Sequence, residues 1–294
     1  MDYIPAKTIV TKTKNHSWFG IDYNMNIYRG CCHGCIYCDS RSLCYQITDF
    51  DAIRAKQDAL RIIRDDLLKK RRCGIVGTGS MSDPYNPFEK ELKLTRNALE
   101  LLNAYRFGAA IATKSTLVTR DASILKDIQN HSPVLVKITI TTADDKLGKL
   151  VEPNAPPPAE RFDAIKSLTE KGIYAGILMM PILPFIEDTE ENVTGIVHKA
   201  KESGARFVYP AFCMTLRAGN REYFYENLDR HFPGFKEKYI KKYGERYSCT
   251  SPKAKKLFTF FTEECNKLGL RSAMKDIVID YQRGYAAKQL DLFS

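Results

Sequence analysis

The stretch "GCCHGCIYCDSR", Gly30 to Arg41, places four cysteines within eight positions and decides how the rest of the chain is interpreted. A structural zinc site usually takes four Cys or His ligands in two pairs, and the later cysteines of this chain are single. A thioredoxin-like redox pair would use Cys35 and Cys38 and leave Cys31 without a role. The spacing Cys31-x3-Cys35-x2-Cys38 fits a third kind of site. In that site, three thiolates hold three irons of a four-iron, four-sulfur cluster and leave the fourth iron open.

The bulk properties indicate a globular protein of the reducing cytoplasm. With 294 residues and 44% hydrophobic content, the chain can bury a sizeable core. We find neither a signal peptide nor an apolar run of about 18 residues, so we expect a cytoplasmic protein without a membrane span. In that compartment the nine cysteines are not expected to form a disulfide framework.

The charge balance favours polyanionic partners. The chain has 45 basic and 35 acidic side chains, a net charge of +10, which is a bias towards nucleic acid. The basic segment Lys236–Lys256 carries Tyr239, Tyr243 and Tyr247 at intervals of four, so on a helix these tyrosines would share one face. They would either stack on bases beside phosphate-binding lysines or dock the helix on the body of the protein.

Short apolar runs alternate with longer helical patterns, as in a parallel sheet with helices outside. The predicted strands are Ile21–Tyr28, Gly74–Gly79, Gly108–Thr113, Val134–Thr141, Ile173–Met180 and Arg206–Phe212. The predicted helices between them are Asp51–Lys70, Glu89–Tyr105, Asp121–His131, Ala159–Lys171 and Glu190–Ser203. These six units predict an α/β protein, a partial (βα)6 TIM-type barrel open on one side. Further helices, appended at its C-terminal end, are predicted near Arg221–Tyr243 and Pro252–Leu268.

The predicted domain organisation follows from that barrel. We expect an N-terminal extension (1–19), the barrel (20–215), a C-terminal helical extension (216–288) and a tail (289–294). In such barrels the chemistry gathers at the carboxyl ends of the strands. Unusual segments follow the predicted strands there: the cysteine cluster, then "GSMSDPY", "TKS", "TTAD" and "PILP".

The motif C-x3-C-x2-C, in the loop after the first strand of a (βα)6 barrel, resembles the radical S-adenosylmethionine (radical SAM) superfamily. The resemblance implies two cofactors, a 4Fe-4S cluster held by Cys31, Cys35 and Cys38, and S-adenosylmethionine at the open iron. It also implies reductive cleavage of S-adenosylmethionine to a 5′-deoxyadenosyl radical, with an electron from an external donor. Tyr37 occupies the aromatic position that the superfamily usually has before the last ligand. Cys32 is left as a surplus, shielding thiol.

Longer motifs resemble the spore photoproduct lyase-like group of that superfamily. They are "NIYRGCCHGCIYCDSR", "SDPYNPFE", "LTR", "TKS" and "LVEPNAPPPAERFDAIKSLTEKGI", and they span about Asn26–Tyr209. This resemblance implies a lyase-like reaction on nucleic acid, as in the repair of a DNA lesion. The lyases have a hydrogen-donating cysteine just after the second strand, where this chain has Ser80. Cys213 is the remaining candidate donor if it points into the barrel.

The same resemblance assigns contacts to S-adenosylmethionine. The backbone around Ser82 and Asp83 is expected to meet its amino group, and Lys114 to pair with its carboxylate. Further polar or packing contacts to the cofactor are expected from Ser115, Thr139, Thr141 and Tyr209. Each residue also has an ordinary structural explanation, since an Asp-Pro pair favours turns and threonine is common in strands. Glu152 and Arg161, inside the longest motif, are expected to form a structural ion pair.

The last residues, "KQLDLFS", resemble the peptide by which bacterial replication and repair proteins dock on the sliding clamp. An extended tail would offer two apolar side chains to a pocket while a glutamine makes polar contacts. The predicted clamp-binding residues are Gln289, Leu290, Asp291, Leu292 and Phe293.

The leading hypothesis is a radical SAM enzyme that acts on nucleic acid, repairing a DNA base lesion while tethered to the clamp. A target base in a duplex would have to leave the stack to reach the barrel interior. One alternative is radical modification of RNA, a peptide or a small molecule. The other, from a different class, is a non-catalytic iron–sulfur or zinc protein that binds nucleic acid or the clamp.

Overall fold

Residues 1–285 are described by the structure, which is a computed structural model. Their strands are β1 (Asp2–Ile4), β2 (Val10–Lys12), β3 (Tyr23–Met25), β4 (Tyr28–Arg29), β5 (Arg54–Lys56), β6 (Ile75–Thr78), β7 (Gly108–Thr113), β8 (Val134–Thr139), β9 (Ala175–Met179), β10 (Val208–Pro210), β11 (Cys213–Thr215) and β12 (Ser248–Thr250). Their helices are α1 (Ala59–Leu68), α2 (Glu89–Leu92), α3 (Leu94–Ala104), α4 (Ala122–Gln129), α5 (Asp145–Val151), α6 (Pro158–Glu170), α7 (Glu190–Glu202), α8 (Asn220–His231), α9 (Phe235–Tyr243), α10 (Ala254–Leu268) and α11 (Met274–Gln282).

A seven-stranded sheet forms the barrel wall, in the order β10-β9-β8-β7-β6-β3-β2. The six strands from β10 to β3 pair in parallel, and β2 adds to β3 as an antiparallel edge strand. Parallel neighbours need crossover connections, and α1, α3, α4, α6 and α7 each lie in one of them. The predicted partial (βα)6 barrel with appended C-terminal helices is confirmed.

Alternate residues of each barrel strand face opposite sides of the sheet. All six residues of β8 are buried, as expected for a parallel strand covered on both faces. Val136 and Ile138 join the large core beneath the outer helices, whereas Leu135 joins a smaller core inside the barrel. Phe19 belongs to that inner core, and so does Tyr281, which lies on α11. The Tyr281 hydroxyl donates to the Phe19 carbonyl at 2.6 Å. They close the amino end of the barrel.

A second, three-stranded sheet with the order β1-β5-β4 corrects two predictions. The segment Ile21–Tyr28, predicted as one strand, is divided between β3 and the start of β4, which belong to different sheets. The segment Asp51–Lys70, predicted as one helix, forms β5 before α1 begins at Ala59. A strand of three residues is too short for its alternation to be recognised in the sequence. Residues 1–19, predicted as an extension, supply β1 and β2 to the two sheets.

The C-terminal part covers the cysteine loop. The segment Arg221–Tyr243, predicted as one helix, is two helices, with Gly234 at φ +79° directly before α9. A separate core joins Cys35, Ile36 and Tyr37 to side chains of α8 and α9. None of the helices described in residues 1–285 has the length and apolar character needed to cross a membrane.

Two of the three regularly spaced tyrosines dock α9 on the body of the protein. Tyr239 is completely buried and donates its hydroxyl to the Pro184 carbonyl at 2.7 Å. Tyr243 is buried as well, so neither ring is available to stack on a base. Tyr247 does not share their face, because α9 ends at Tyr243, and it is 48% exposed.

Candidate active site at the cysteine loop

The cysteine loop, residues 31–38, comes directly after β4, which follows the first parallel strand of the barrel, β3, and the loop is positioned by its own backbone. The N–H of Cys31 donates to the Phe50 carbonyl at 2.9 Å. Gly30 enters the loop at φ +82°, and a Cβ atom there would lie 2.6 Å from the Ala52 carbonyl oxygen. Only glycine tolerates both the conformation and the close approach. The entry to the loop is therefore determined before any cofactor binds.

The three predicted ligands are free thiols that are largely withdrawn from solvent. Burial raises the pKa of Cys31 to about 11, and it also raises the pKa values of Cys35 and Cys38. Iron binds the thiolate form, so loading the site would release these protons.

A buried ion pair supports the loop. Glu152 and Arg161 each have side chains that are 1% exposed, and their charged groups lie 2.5 Å apart, which confirms the predicted pair. The Tyr37 hydroxyl donates to Glu152, and Nη1 of Arg161 donates to the Thr139 carbonyl at 2.9 Å. The network therefore connects the cysteine loop to the carboxyl end of β8.

Lys114 adds a second cation to this network. Its Nζ lies 3.9 Å from Oε1 of Glu152 and 5.6 Å from the centre of the Tyr37 ring. Burial favours a higher pKa for Glu152, but Arg161 and Lys114 outweigh it and lower that pKa. Burial opposes the charge of Lys114, but Cys35 and Glu152 outweigh it and raise the pKa of Lys114. A charged ammonium group therefore stands beside the cysteine loop.

The "LVEPN" segment is hydrogen-bonded to the cysteine loop and holds it in place. The Ile36 N–H donates to the Val151 carbonyl at 3.0 Å, and the Asn154 N–H donates to the His33 carbonyl at 3.1 Å. The Asn154 side chain donates through Nδ2 to the Cys32 carbonyl at 2.9 Å. Sequence analysis missed Asn154, because an asparagine next to proline is typical of any turn.

The Asp83 side chain connects the carboxyl end of β7 to the cysteine loop. Its carboxylate accepts from the Thr113 hydroxyl at 2.6 Å and from the Lys114 N–H at 2.8 Å, and it lies 3.5 Å from Nδ1 of His33. Ser82 donates its hydroxyl to a carbonyl of β4 at 2.8 Å. Both side chains are engaged within the protein. The expected contact of this turn with the cofactor amino group, through its backbone, stays a prediction.

Three other predicted cofactor residues lie at the carboxyl ends of β7 and β8. Ser115 accepts from a backbone N–H to start the helical turn 116–121. Thr139 is 8% exposed at the end of β8, next to Arg161. The Thr141 hydroxyl donates to Glu187 at 2.7 Å and is withdrawn from solvent. Their contacts with S-adenosylmethionine stay predictions.

The candidate hydrogen donor and the position where the lyases have a cysteine lie on different elements. Cys213 is half-buried in β11, opposite Thr250 of β12, and burial raises its pKa. Ser80 is exposed in the loop after β6. Tyr209, on the last barrel strand, packs edge-on against Trp18 with ring centres 5.6 Å apart. The roles of Cys213 and Tyr209 stay predictions.

The donor set fits a 4Fe-4S cluster. Within residues 1–285, no three His, Cys, Asp or Glu side chains lie close enough together to hold one metal ion. Ligands of a cluster need not converge on one ion, because each cysteine binds a different iron. Three thiols on one short loop, with the cation of Lys114 beside them, provide the soft, anionic donors that a cluster requires.

Lys114→Met is expected to weaken S-adenosylmethionine binding by about 10- to 100-fold, because the predicted charge-assisted hydrogen bond to the cofactor carboxylate would be lost. The dissociation constant is measured by isothermal titration of the anaerobic, cluster-loaded protein, with iron content determined on the same sample. Lys126→Met removes an exposed lysine of α4 and is the matched control. Unchanged affinity in Lys114→Met at full iron content would remove Lys114 from the cofactor site.

Comparison with known proteins identifies a family and several relatives. The model of the Radical SAM superfamily matches residues 25–197. An uncharacterized protein of Mycobacterium tuberculosis is 28% identical over 245 residues, covering 81% of this chain and 72% of that protein. An uncharacterized protein of Methanocaldococcus jannaschii is 35% identical over 190 residues, covering 64% of this chain and 69% of that protein.

Solved structures share the fold at low sequence identity. A spore photoproduct lyase variant with a dinucleoside spore photoproduct has a TM-score of 0.67 and 13% identity, covering 90% of this chain and 78% of that one. The radical S-adenosylmethionine methyltransferase TsrM from Kitasatospora setae, with cobalamin and a [4Fe-4S] cluster, has a TM-score of 0.55 and 11% identity. That match covers 85% of this chain and 52% of the methyltransferase.

Proposed function

This chain belongs to the radical SAM superfamily and is a radical SAM enzyme, and from that premise we propose that it acts on nucleic acid by a spore photoproduct lyase-like reaction. One observation carries the radical SAM chemistry in this proposal. The three cysteines lie after the first strand of a six-unit barrel, on a loop held by the buried Tyr37–Glu152–Arg161 network.

Members of the superfamily bind a 4Fe-4S cluster and S-adenosylmethionine. When bound, these two groups supply a one-electron cleavage of the sulfonium and a 5′-deoxyadenosyl radical that abstracts hydrogen. In this chain, Cys31, Cys35 and Cys38 would hold the cluster, and Lys114 would pair with the carboxylate of S-adenosylmethionine. The core that joins the loop to α8 and α9 excludes water from one side of the site. An external electron donor is required.

The charge and the surface of the protein support a nucleic acid substrate. The net charge of +10 favours binding to phosphates. Arg217 lies 4.4 Å from the centre of the Tyr247 ring, which places a cation and a partly exposed aromatic side chain next to each other at the surface. The structural neighbour with a dinucleoside spore photoproduct adds weight to a base lesion as the target. Since Ser80 stands where the lyases have cysteine, the hydrogen donor differs from theirs, and Cys213 is our candidate.

Reduced, cluster-loaded protein is expected to convert S-adenosylmethionine to 5′-deoxyadenosine and to convert it faster with a lesion-containing oligonucleotide. The product is measured by mass spectrometry under anaerobic conditions. Oligonucleotide affinity is expected to fall linearly on a log–log plot against salt concentration, because bound phosphates release counterions. An undamaged oligonucleotide of the same sequence is the control for the lesion.

The outcomes separate the parts of the proposal. Absence of 5′-deoxyadenosine from fully loaded protein would contradict the enzyme function itself. Cleavage of S-adenosylmethionine with no salt-dependent affinity for oligonucleotides would favour a peptide or a small molecule as the substrate. The tail from 289 to 294 lies outside the described residues, so binding to the sliding clamp stays a separate proposal.

A further inference from the structure

Lys137 is a buried lysine inside the barrel that has no role in the site described above. It lies in the middle of β8, and its side chain is 1% exposed. Leu135, two positions earlier, faces the inner core, and Thr139, two positions later, lies at the rim. By the alternation of the strand, Lys137 therefore stands between the apolar floor of the barrel and the edge where the cysteine loop rests.

The surroundings of Lys137 are apolar. Burial lowers the pKa of Lys137 to about 7, and no neighbouring charge contributes to that shift. Its neighbours across the sheet, Ala112 and Gly176, carry no polar side chain. The centre of the Phe19 ring lies 4.8 Å from Nζ of Lys137. A ring face attracts a cation but does not replace an anion.

Buried ammonium groups are strongly disfavoured unless an anion pairs with them. A lysine is also the least suitable residue for filling an apolar core, since leucine or methionine would occupy the same space without that cost. The carboxylate of S-adenosylmethionine is already assigned to Lys114 at the rim. An anionic group of the substrate is therefore the natural partner of Lys137.

The neighbouring rings indicate which anion would enter. Trp18, Phe19 and Tyr209 form one aromatic group, with ring centres 5.0 to 5.6 Å apart. Trp18 is 40% exposed, so this aromatic group is partly open to solvent. Nucleotides combine an aromatic face with a phosphate, so a cation beside this aromatic group suits a nucleotide better than a simple carboxylic acid.

We propose that the Lys137 ammonium group is the substrate anchor inside the barrel, and that it pairs with the backbone phosphate beside the reacting nucleotide. The assignment rests on the proposed nucleic acid function, since it takes the barrel interior as the substrate site.

The test compares a charged dinucleotide with a neutral one of the same shape. Wild-type protein, cluster-loaded and with S-adenosylmethionine bound, is expected to bind thymidylyl-thymidine about 10-fold or more tightly than its methylphosphonate analogue. Lys137→Met is expected to abolish this preference while keeping its affinity for the neutral analogue. If Lys137→Met does not fold, Lys137→Gln is used in its place. Lys126→Met, at an exposed position, is expected to behave as wild type. An equal preference in wild type and Lys137→Met would overturn the proposal, as would an equal loss of affinity for both probes.

A second measurement separates this anchor from the nucleic acid function. Inorganic phosphate and acetate are added at equal ionic strength, and the shift in melting temperature is recorded for wild type and Lys137→Met. Stabilisation by phosphate that requires Lys137, without binding of either dinucleotide, would support the anion anchor and contradict the nucleic acid function. A Lys137-dependent response to acetate but not to phosphate would overturn the phosphate assignment. No Lys137-dependent response to either anion, with no dinucleotide preference, would show a structural lysine and overturn the proposal.

Discussion

Cys35→Ala is expected to lose bound iron and to form 5′-deoxyadenosine only at background level. Cys35 is one of the three predicted ligands on the cysteine loop, so the cluster would lose a protein ligand outright. The loss is expected to exceed the about 10- to 100-fold effect of removing a residue that merely supports a metal ligand. Cys31→Ala and Cys38→Ala are expected to give the same result. Iron content and 5′-deoxyadenosine are measured on the same anaerobically reconstituted samples.

Cys32→Ala is the matched control for these variants. Cys32 is in the same loop, but it contributes through its backbone carbonyl, which accepts from Asn154 at 2.9 Å. Alanine keeps that carbonyl, so iron content and cleavage of S-adenosylmethionine are expected to remain near wild type. If Cys32→Ala were as damaging as Cys35→Ala, the assignment of the three ligands would be wrong.

Glu152→Gln is expected to lower the free energy of unfolding by about 3–5 kcal/mol, because removing one member of a buried ion pair leaves the other charge uncompensated. Here two cations are affected, since both Arg161 and Lys114 lie beside this carboxylate. The Tyr37 hydroxyl also loses its charged acceptor, so cluster retention is expected to fall as well. Unfolding by urea under anaerobic conditions measures the stability.

An exposed ion pair serves as the control for Glu152. Asp229 pairs with Lys236 at 2.6 Å, with both side chains open to solvent, so Asp229→Asn is expected to cost less than about 1 kcal/mol. The double variant Glu152→Gln with Arg161→Met is expected to cost less than the sum of the two single changes, because it removes both charges together. Additive costs would mean that the pair does not act as a unit.

The barrel strands were the most predictable elements of the fold. The strand β7, Gly108–Thr113, has the predicted bounds, because buried parallel strands are continuous apolar runs with helices between them. The helix predicted at Asp51–Lys70 was wrong in its first part. The pairing of β5 with β1 and β4 depends on distant segments, so no local pattern could indicate it.

The candidate site was predictable only in part. Cysteine spacing is a local property, and Tyr37 can be identified in the same short stretch as the aromatic residue before the last predicted ligand. The same sequence contains Lys137 in "VLVKIT", and a charge inside an apolar strand was the signal for it, but the sequence does not say which face of the strand it occupies or what surrounds it. The packing of Phe19 and α11 decides that, by closing the barrel beneath it.

By itself, the sequence predicted the barrel, because continuous apolar runs and helical periodicity are local patterns, and the cysteine spacing with the longer motifs carried the resemblance to the superfamily. Only the tertiary structure decided how the cysteine loop is held and what surrounds the buried Lys137. Tyr37 and Glu152, which meet in the buried network, are 115 positions apart. Such contacts depend on how the whole chain closes around the barrel, and no local stretch of sequence contains that information.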